Sequence, residues 1–176
     1  MTVAGLLALA LTAACGNGSS PAGPTTTVHV AVPVGAEPSK SAQMVCSAEA
    51  QRDLGEVLGV QSTAVTTPTW VDDVYSCRYV YPTGTFTLSV KELADKTATT
   101  AYFDTLEAQL GNTGTVNGLG QGAFSTTDGS MVVRKDYKVL LVDVTGLPAR
   151  FGVPPTAASD VAVTIADVIM GCWSGS

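Results

Sequence analysis

Hydrophobic positions fall into three regimes along the chain. Residues 3–14 read VAGLLALALTAA, one unbroken apolar run. Residues 16–36 carry no Asp, Glu, Lys or Arg and are dominated at first by Gly, Ser, Pro and Thr. From residue 44 onward, apolar residues recur with the periods of helices and strands.

The periodic region predicts α-β-β-α-β-β-β-α. A first helix covers residues 47–58, where Ala50, Leu54, Val57 and Leu58 recur at helical spacing and Gly59 can take the left-handed stop. A Thr- and Pro-rich loop, 61–69, leads to a hairpin with strands 74–81 and 85–90 around Pro82-Thr83-Gly84. On the return strand Phe86, Leu88 and Val90 alternate with Thr85, Thr87 and Ser89, giving one buried and one wet face. A second helix, 95–110, carries a stripe of Tyr102, Leu106 and Leu110 with Phe103 beside it, which reads as core packing. Gly118-Leu119-Gly120-Gln121-Gly122 precedes a meander of strands 123–126, 130–135 and 138–144, with Asp128-Gly129 at its first turn. Residues 139–142 are apolar throughout and predict a central strand. A last helix, 157–171, starts behind Thr156 as N-cap; Val161, Ile165, Val168 and Cys172 share one side.

Hairpins without βαβ alternation predict an α+β fold: one domain, residues 44–176, with an antiparallel sheet of about five strands and helices packed mainly on one face. With 45% hydrophobic and 14% charged residues, the chain can build a core.

The first regime reads as an export signal. A run of about a dozen apolar residues is too short for a hydrocarbon core of ~30 Å, which needs ~20, and suits a signal-peptide h-region. It ends in Thr12-Ala13-Ala14 directly before Cys15, which resembles the bacterial lipobox. Leu11 stands one position early for that motif, and no Lys or Arg precedes the run, which points to a start upstream of Met1. The expected organisation is a signal peptide at 1–14, a lipidated Cys15 opening a tether that extends to residue 43, and the folded domain after it. As a free coil the tether has a root-mean-square reach of roughly 30 Å. His29, the one histidine in the chain, falls in this tether and reads as solvated.

Assigning Cys15 to lipid leaves Cys46, Cys77 and Cys172. A Cys46–Cys77 bond would close a loop of about thirty residues, worth roughly 3–4 kcal/mol in the chain-entropy model. It is favoured over Cys46–Cys172, which stays open at this point; Cys172 is otherwise a small hydrophobe on the inner side of the last helix. Zinc does not fit the wide spacing in a domain without His.

A net charge of -6 and the lack of a basic cluster argue against nucleic acid as a partner. Arg134-Lys135-Asp136 reads as a solvated strand end. Nucleophilic catalysis lacks a His base and a Gly-x-Ser-x-Gly elbow. Carboxylates are present at Asp72, Asp73, Asp95, Asp104, Glu107, Asp128 and Asp143, but only Asp104 and Glu107 have converging spacing, and surface solvation explains them. The Gly118–Gly122 loop lacks the Lys-Ser/Thr of a phosphate loop and precedes a strand, so it reads as a tight turn.

Several of these motifs together resemble actinobacterial lipoproteins carrying domain of unknown function 3558. They are the lipobox and low-complexity tether, a Cys opening a helix that ends in Leu-Gly (Cys46 to Gly59), Cys77-Arg78-Tyr79, the Gly-Leu-Gly-x-x-Ala segment at 118–123, a Val-rich hairpin and an Ala/Val helix. Tyr79 stands where that pattern usually has Trp, and Cys172 is outside it. The resemblance implies an exported envelope domain with a two-Cys staple and brings no activity. The expected function is a membrane-anchored, non-enzymatic binding or interaction module without cofactor, holding an envelope protein or a small apolar ligand. The alternatives are a hydrolase using carboxylates alone and a purely structural envelope component.

Overall fold

The computed structural model describes residues 34–173. Cys15, His29, the expected signal peptide and most of the expected tether lie outside the described residues. The elements are α1 (Lys40–Met44), α2 (Ala48–Leu58), β1 (Ala64–Val65), β2 (Thr69–Val71), β3 (Val74–Tyr81), β4 (Gly84–Glu92), α3 (Lys96–Leu110), β5 (Gly114–Thr115), β6 (Gly122–Ser125), β7 (Met131–Lys135), β8 (Lys138–Asp143), β9 (Arg150–Phe151), β10 (Thr156–Ala157) and α4 (Ala158–Trp173). The fold is α+β, with one eight-stranded sheet in the order β1-β3-β4-β8-β7-β6-β5 and β2 beside β1 on β3. All its pairings are antiparallel. The count exceeds the expected five because β1, β2 and β5 have two or three residues each, too few to show a period. A separate β9–β10 ribbon precedes α4.

The middle of the sheet is made by β8, as its apolar run predicts. It pairs with β4 on one side and β7 on the other, Leu88 opposite Val142 and Val133 opposite Leu140. Alternation then sends side chains to two faces. One face carries Cys77, Tyr79, Tyr81, Phe86, Leu88, Val90, Met131, Val133, Leu140 and Val142, buried with Ala42, Leu54, Ile165 and Ile169. This core lies under α1, α2 and α4. The other face carries Phe124, Val132 and Val139, covered by Leu106, Tyr102 and Phe103 of α3. Three helices against one is the predicted bias.

Local chemistry sets the helix ends. Ser47 and Asp95 are N-caps, accepting from Ala50 N at 3.1 Å and Ala98 N at 2.8 Å. Gly59 closes α2 at φ 64°, where a Cβ would also lie 2.2 Å from Val153 O, so no other residue fits. Thr156, expected to cap the last helix, instead pairs with Phe151 in β10, and α4 begins at Ala158. The backbone hydrogen bonds of that ribbon take precedence over a side-chain cap.

The folded part also begins ahead of residue 44. Ser39 caps α1, Ala42 is fully buried, and residues 36–46 are bonded repeatedly to the rest of the molecule. The short helix has too few apolar residues to show a period. It is held by tertiary partners rather than by propensity.

Candidate functional site

The Cys46–Cys77 disulfide is formed, with Cα atoms 6.0 Å apart across a sequence separation of 31. It ties the junction between α1 and α2 to the middle of β3. Cys172, the rival partner of Cys46, lies buried near the end of α4. Beside the bridge, Tyr79 donates its hydroxyl to Val45 O at 2.7 Å and stacks on Phe86 at 4.7 Å. Burial, with the neighbouring Tyr81 adding to it, holds the Tyr79 hydroxyl far above its ordinary pKa; burial alone pushes Tyr81 up to about 12. Both stay neutral. This cluster is structural: its side chains are buried in the core.

Three further bonds clamp the chain that enters the domain. Trp70 Nε1 donates to Ala36 O at 3.1 Å, Trp173 Nε1 donates to Ser41 O at 2.7 Å, and Ser39 donates from both N and Oγ to the buried Glu92 carboxylate. Residues 36–46 thus form a strap across one end of the sheet. Sequence reasoning missed it, because each bond joins residues far apart in the chain.

The exposed feature that could meet a ligand is the half of the sheet that α3 leaves open. Among the described residues this helix packs on Phe124 of β6 and on β7 and β8, and no helix packs comparably on β3 and β4 on that face. Register brings Arg78, Thr87 and Asp143 into one row across three strands, and Ser76, Ser89 and Leu141 into the next. Arg78 is exposed and the other five are half-buried. The Ser76 and Ser89 hydroxyls lie 3.0 Å apart. Asp143 accepts from Thr145 N at 2.9 Å. This floor offers hydroxyl donors and acceptors between a cation and a carboxylate. The alternation of Thr85, Thr87 and Ser89 is its signal in the sequence.

The candidate carboxylates stand on separate elements. Asp72 and Asp73 occupy the β2–β3 turn, Asp95 caps α3, Asp128 sits in the β6–β7 turn and Asp143 ends β8. Asp104 is exposed on α3, and Glu107 accepts from Asn112 Nδ2 at 2.6 Å. Among the described residues no group of three or more His, Cys, Asp or Glu is placed to hold a metal. Asp128 is a turn residue. Desolvation raises its pKa, but hydrogen bonds from Thr126 and Ser130 outweigh that and hold the carboxyl below its ordinary value.

The Gly118–Gly122 segment is a tight turn. Gly120 has φ 56°, its missing Cβ would lie 2.6 Å from Arg134 O, and Gln121 N donates to that same oxygen at 2.7 Å. Arg134 departs from the expected solvated strand end. Its guanidinium lies 5.2 Å from the Phe103 ring centre and donates to Thr100 at 2.8 Å, because α3 passes over the end of β7.

No family model matches the chain, and no curated protein or solved structure matches it. No helix among the described residues is long and apolar enough to cross a membrane.

Proposed function

We propose that this protein is an exported lipoprotein, anchored through Cys15 on the outer face of a cell membrane, whose domain is a binding or interaction module. The observation that carries the binding part is the open half-sheet. Its rows Arg78–Thr87–Asp143 and Ser76–Ser89–Leu141 lie on a rigid, disulfide-stapled scaffold. A rigid floor loses little entropy on binding. The anchor rests on the run at 3–14 followed by Cys15. The motifs shared with the lipoproteins of domain of unknown function 3558 support the same address and bring no activity. Scattered carboxylates give the hydrolase reading little support, since that chemistry needs two carboxyl groups facing one cleft at ~5–9.5 Å.

Two experiments test the two parts. Detergent phase partitioning with intact mass should find acyl chains on Cys15 in the wild type, and an unprocessed, unlipidated precursor for Cys15→Ser. A wild-type mass without lipid ends the anchor reading. A photo-crosslinker at Thr87 in intact cells should capture a defined partner that a crosslinker at exposed Thr105 of α3 does not. Equal capture at both sites ends the module reading and leaves a purely structural component.

A further inference from the structure

We propose that the end of the sheet formed by the β2–β3 and β7–β8 turns rests on the headgroups of an anionic bilayer, so that the domain stands upright on its anchor. This rests on the lipoprotein reading above. The strap fixes where the chain enters: Ala36 is held by Trp70 of β2, and Ser39 by Glu92 at the end of β4. In the register, Glu92 pairs with Lys138 and Lys135 with Lys138, so the β7–β8 turn lies at this same end. The described chain starts here, at Val34, with eighteen residues between it and Cys15, so the anchor joins the domain at this end.

All five lysines of the chain belong to this end. Lys40 opens α1 next to Ser39, Lys91 ends β4, Lys96 opens α3 just after it, and Lys135 and Lys138 flank the β7–β8 turn. With Arg134 they balance the six carboxylates of the same end, Glu37, Asp72, Asp73, Glu92, Asp95 and Asp136. The rest of the molecule has nine carboxylates against Arg52, Arg78 and Arg150. The whole net charge of -6 is therefore carried by the rest of the molecule. Near an anionic surface that portion is repelled, while the exposed Lys40 and Lys96 can reach lipid phosphates; Lys91 is held by Asp72 O and Asp73, and Lys138 by Asp136 O. Apolar and aromatic groups accompany them: Val71 is 63% exposed on the β2–β3 turn, Trp70 precedes it, and half-buried Tyr137 stands on the β7–β8 turn. Aromatic rings and lysine stems are the side chains that settle at headgroup level.

The opposite end supplies the control. Val153 is 67% exposed there, beyond Phe151, whose ring meets Tyr81 at 4.9 Å at the far end of β3. The test uses the lipidated chain in phosphatidylcholine vesicles, with and without phosphatidylglycerol. Nitroxide labels are placed at Val71→Cys or Val153→Cys, and their relaxation by a nickel-chelating lipid is read. Flotation comes first: a chain that does not float with the vesicles overturns the anchor reading itself. For a chain that floats, relaxation at position 71 should be several-fold stronger than at 153 in phosphatidylglycerol vesicles. The difference should shrink in high salt, which screens exposed charge, and with Lys96→Glu, Lys135→Glu and Lys138→Glu together. Equal relaxation at the two positions, or a difference indifferent to phosphatidylglycerol and salt, overturns the proposal. So does spin–spin broadening at position 71, which would make a second copy the occupant of this end.

Discussion

The two faces of the sheet are made by the same strands, residue by residue in alternation, yet they differ in almost everything else. One face is buried under α1, α2 and α4, is stapled by Cys46–Cys77, and holds Tyr79, Leu88, Val90, Met131 and Leu140 at 0% exposure. The other has a small core of Leu106, Phe124, Val132 and Val139 under α3, and then an open floor of Ser, Thr, Arg and Asp. The lesson is a division of labour within a strand. In β4, Phe86, Leu88 and Val90 stabilise the fold, while Thr87 and Ser89 are left on the open face. Substitutions on the first set should cost stability, and those on the second should cost little.

The largest effect should come from the closed face. Leu140→Ala removes a fully buried side chain from the central strand and should lower unfolding free energy by about 3–4 kcal/mol in urea titration. Cys46→Ala with Cys77→Ala should lose roughly 3 kcal/mol, because the unfolded chain regains the freedom of a closed loop. The same loss should appear in the wild type when it is unfolded under reducing conditions. Leu106→Ala, under the lone helix of the other face and already 9% exposed, should cost about 2 kcal/mol. A loss as large as that of Leu140→Ala would mean that the faces are not energetically distinct.

Smaller effects sharpen the contrast. The Asp128 carboxyl has a folded pKa below its ordinary 3.8, so its contribution is fully present above that value and is lost as pH falls through the folded pKa. It is exposed, and screening limits the contribution to about 0.5 kcal/mol. Asp128→Asn should reduce stability by that much at pH 7 and by progressively less towards pH 3, measured by thermal melting. On the open floor, Thr87→Ala and Arg78→Ala should each change stability by less than about 0.5 kcal/mol. If either unfolds the domain, the floor is structural rather than available.

Much of the fold was legible. The long elements fall where the periods place them, because each carries enough repeats: four apolar positions in the first helix, three alternations in β4, an unbroken run in β8. Strands of two or three residues hold no period, and α1 is only five residues, so these went unread. Thr156 was misplaced because a cap and a strand residue look alike in sequence, and β9, which decides between them, lies across a loop. Arg134 looked solvated because nothing in its neighbours reveals the passage of α3 above it.

By itself, then, the sequence determined what depends on neighbours in the chain: the helix stop at Gly59, turns at Gly120 and Gly129, which strand residues share a face, and the acidic balance. Cys46–Cys77 was legible as the favoured pair. Tertiary structure decided what depends on distant segments meeting. The joining of β4 to β8 set which strands form the open floor, and α3 came to lie over β6, β7 and β8. The strap at 36–46 and the gathering of five lysines at one end were also decided there. Local pattern fixes a side chain's direction within its own element. Only the packing of elements, driven by burial of apolar area summed over the whole chain, settles which faces are closed and which stay exposed.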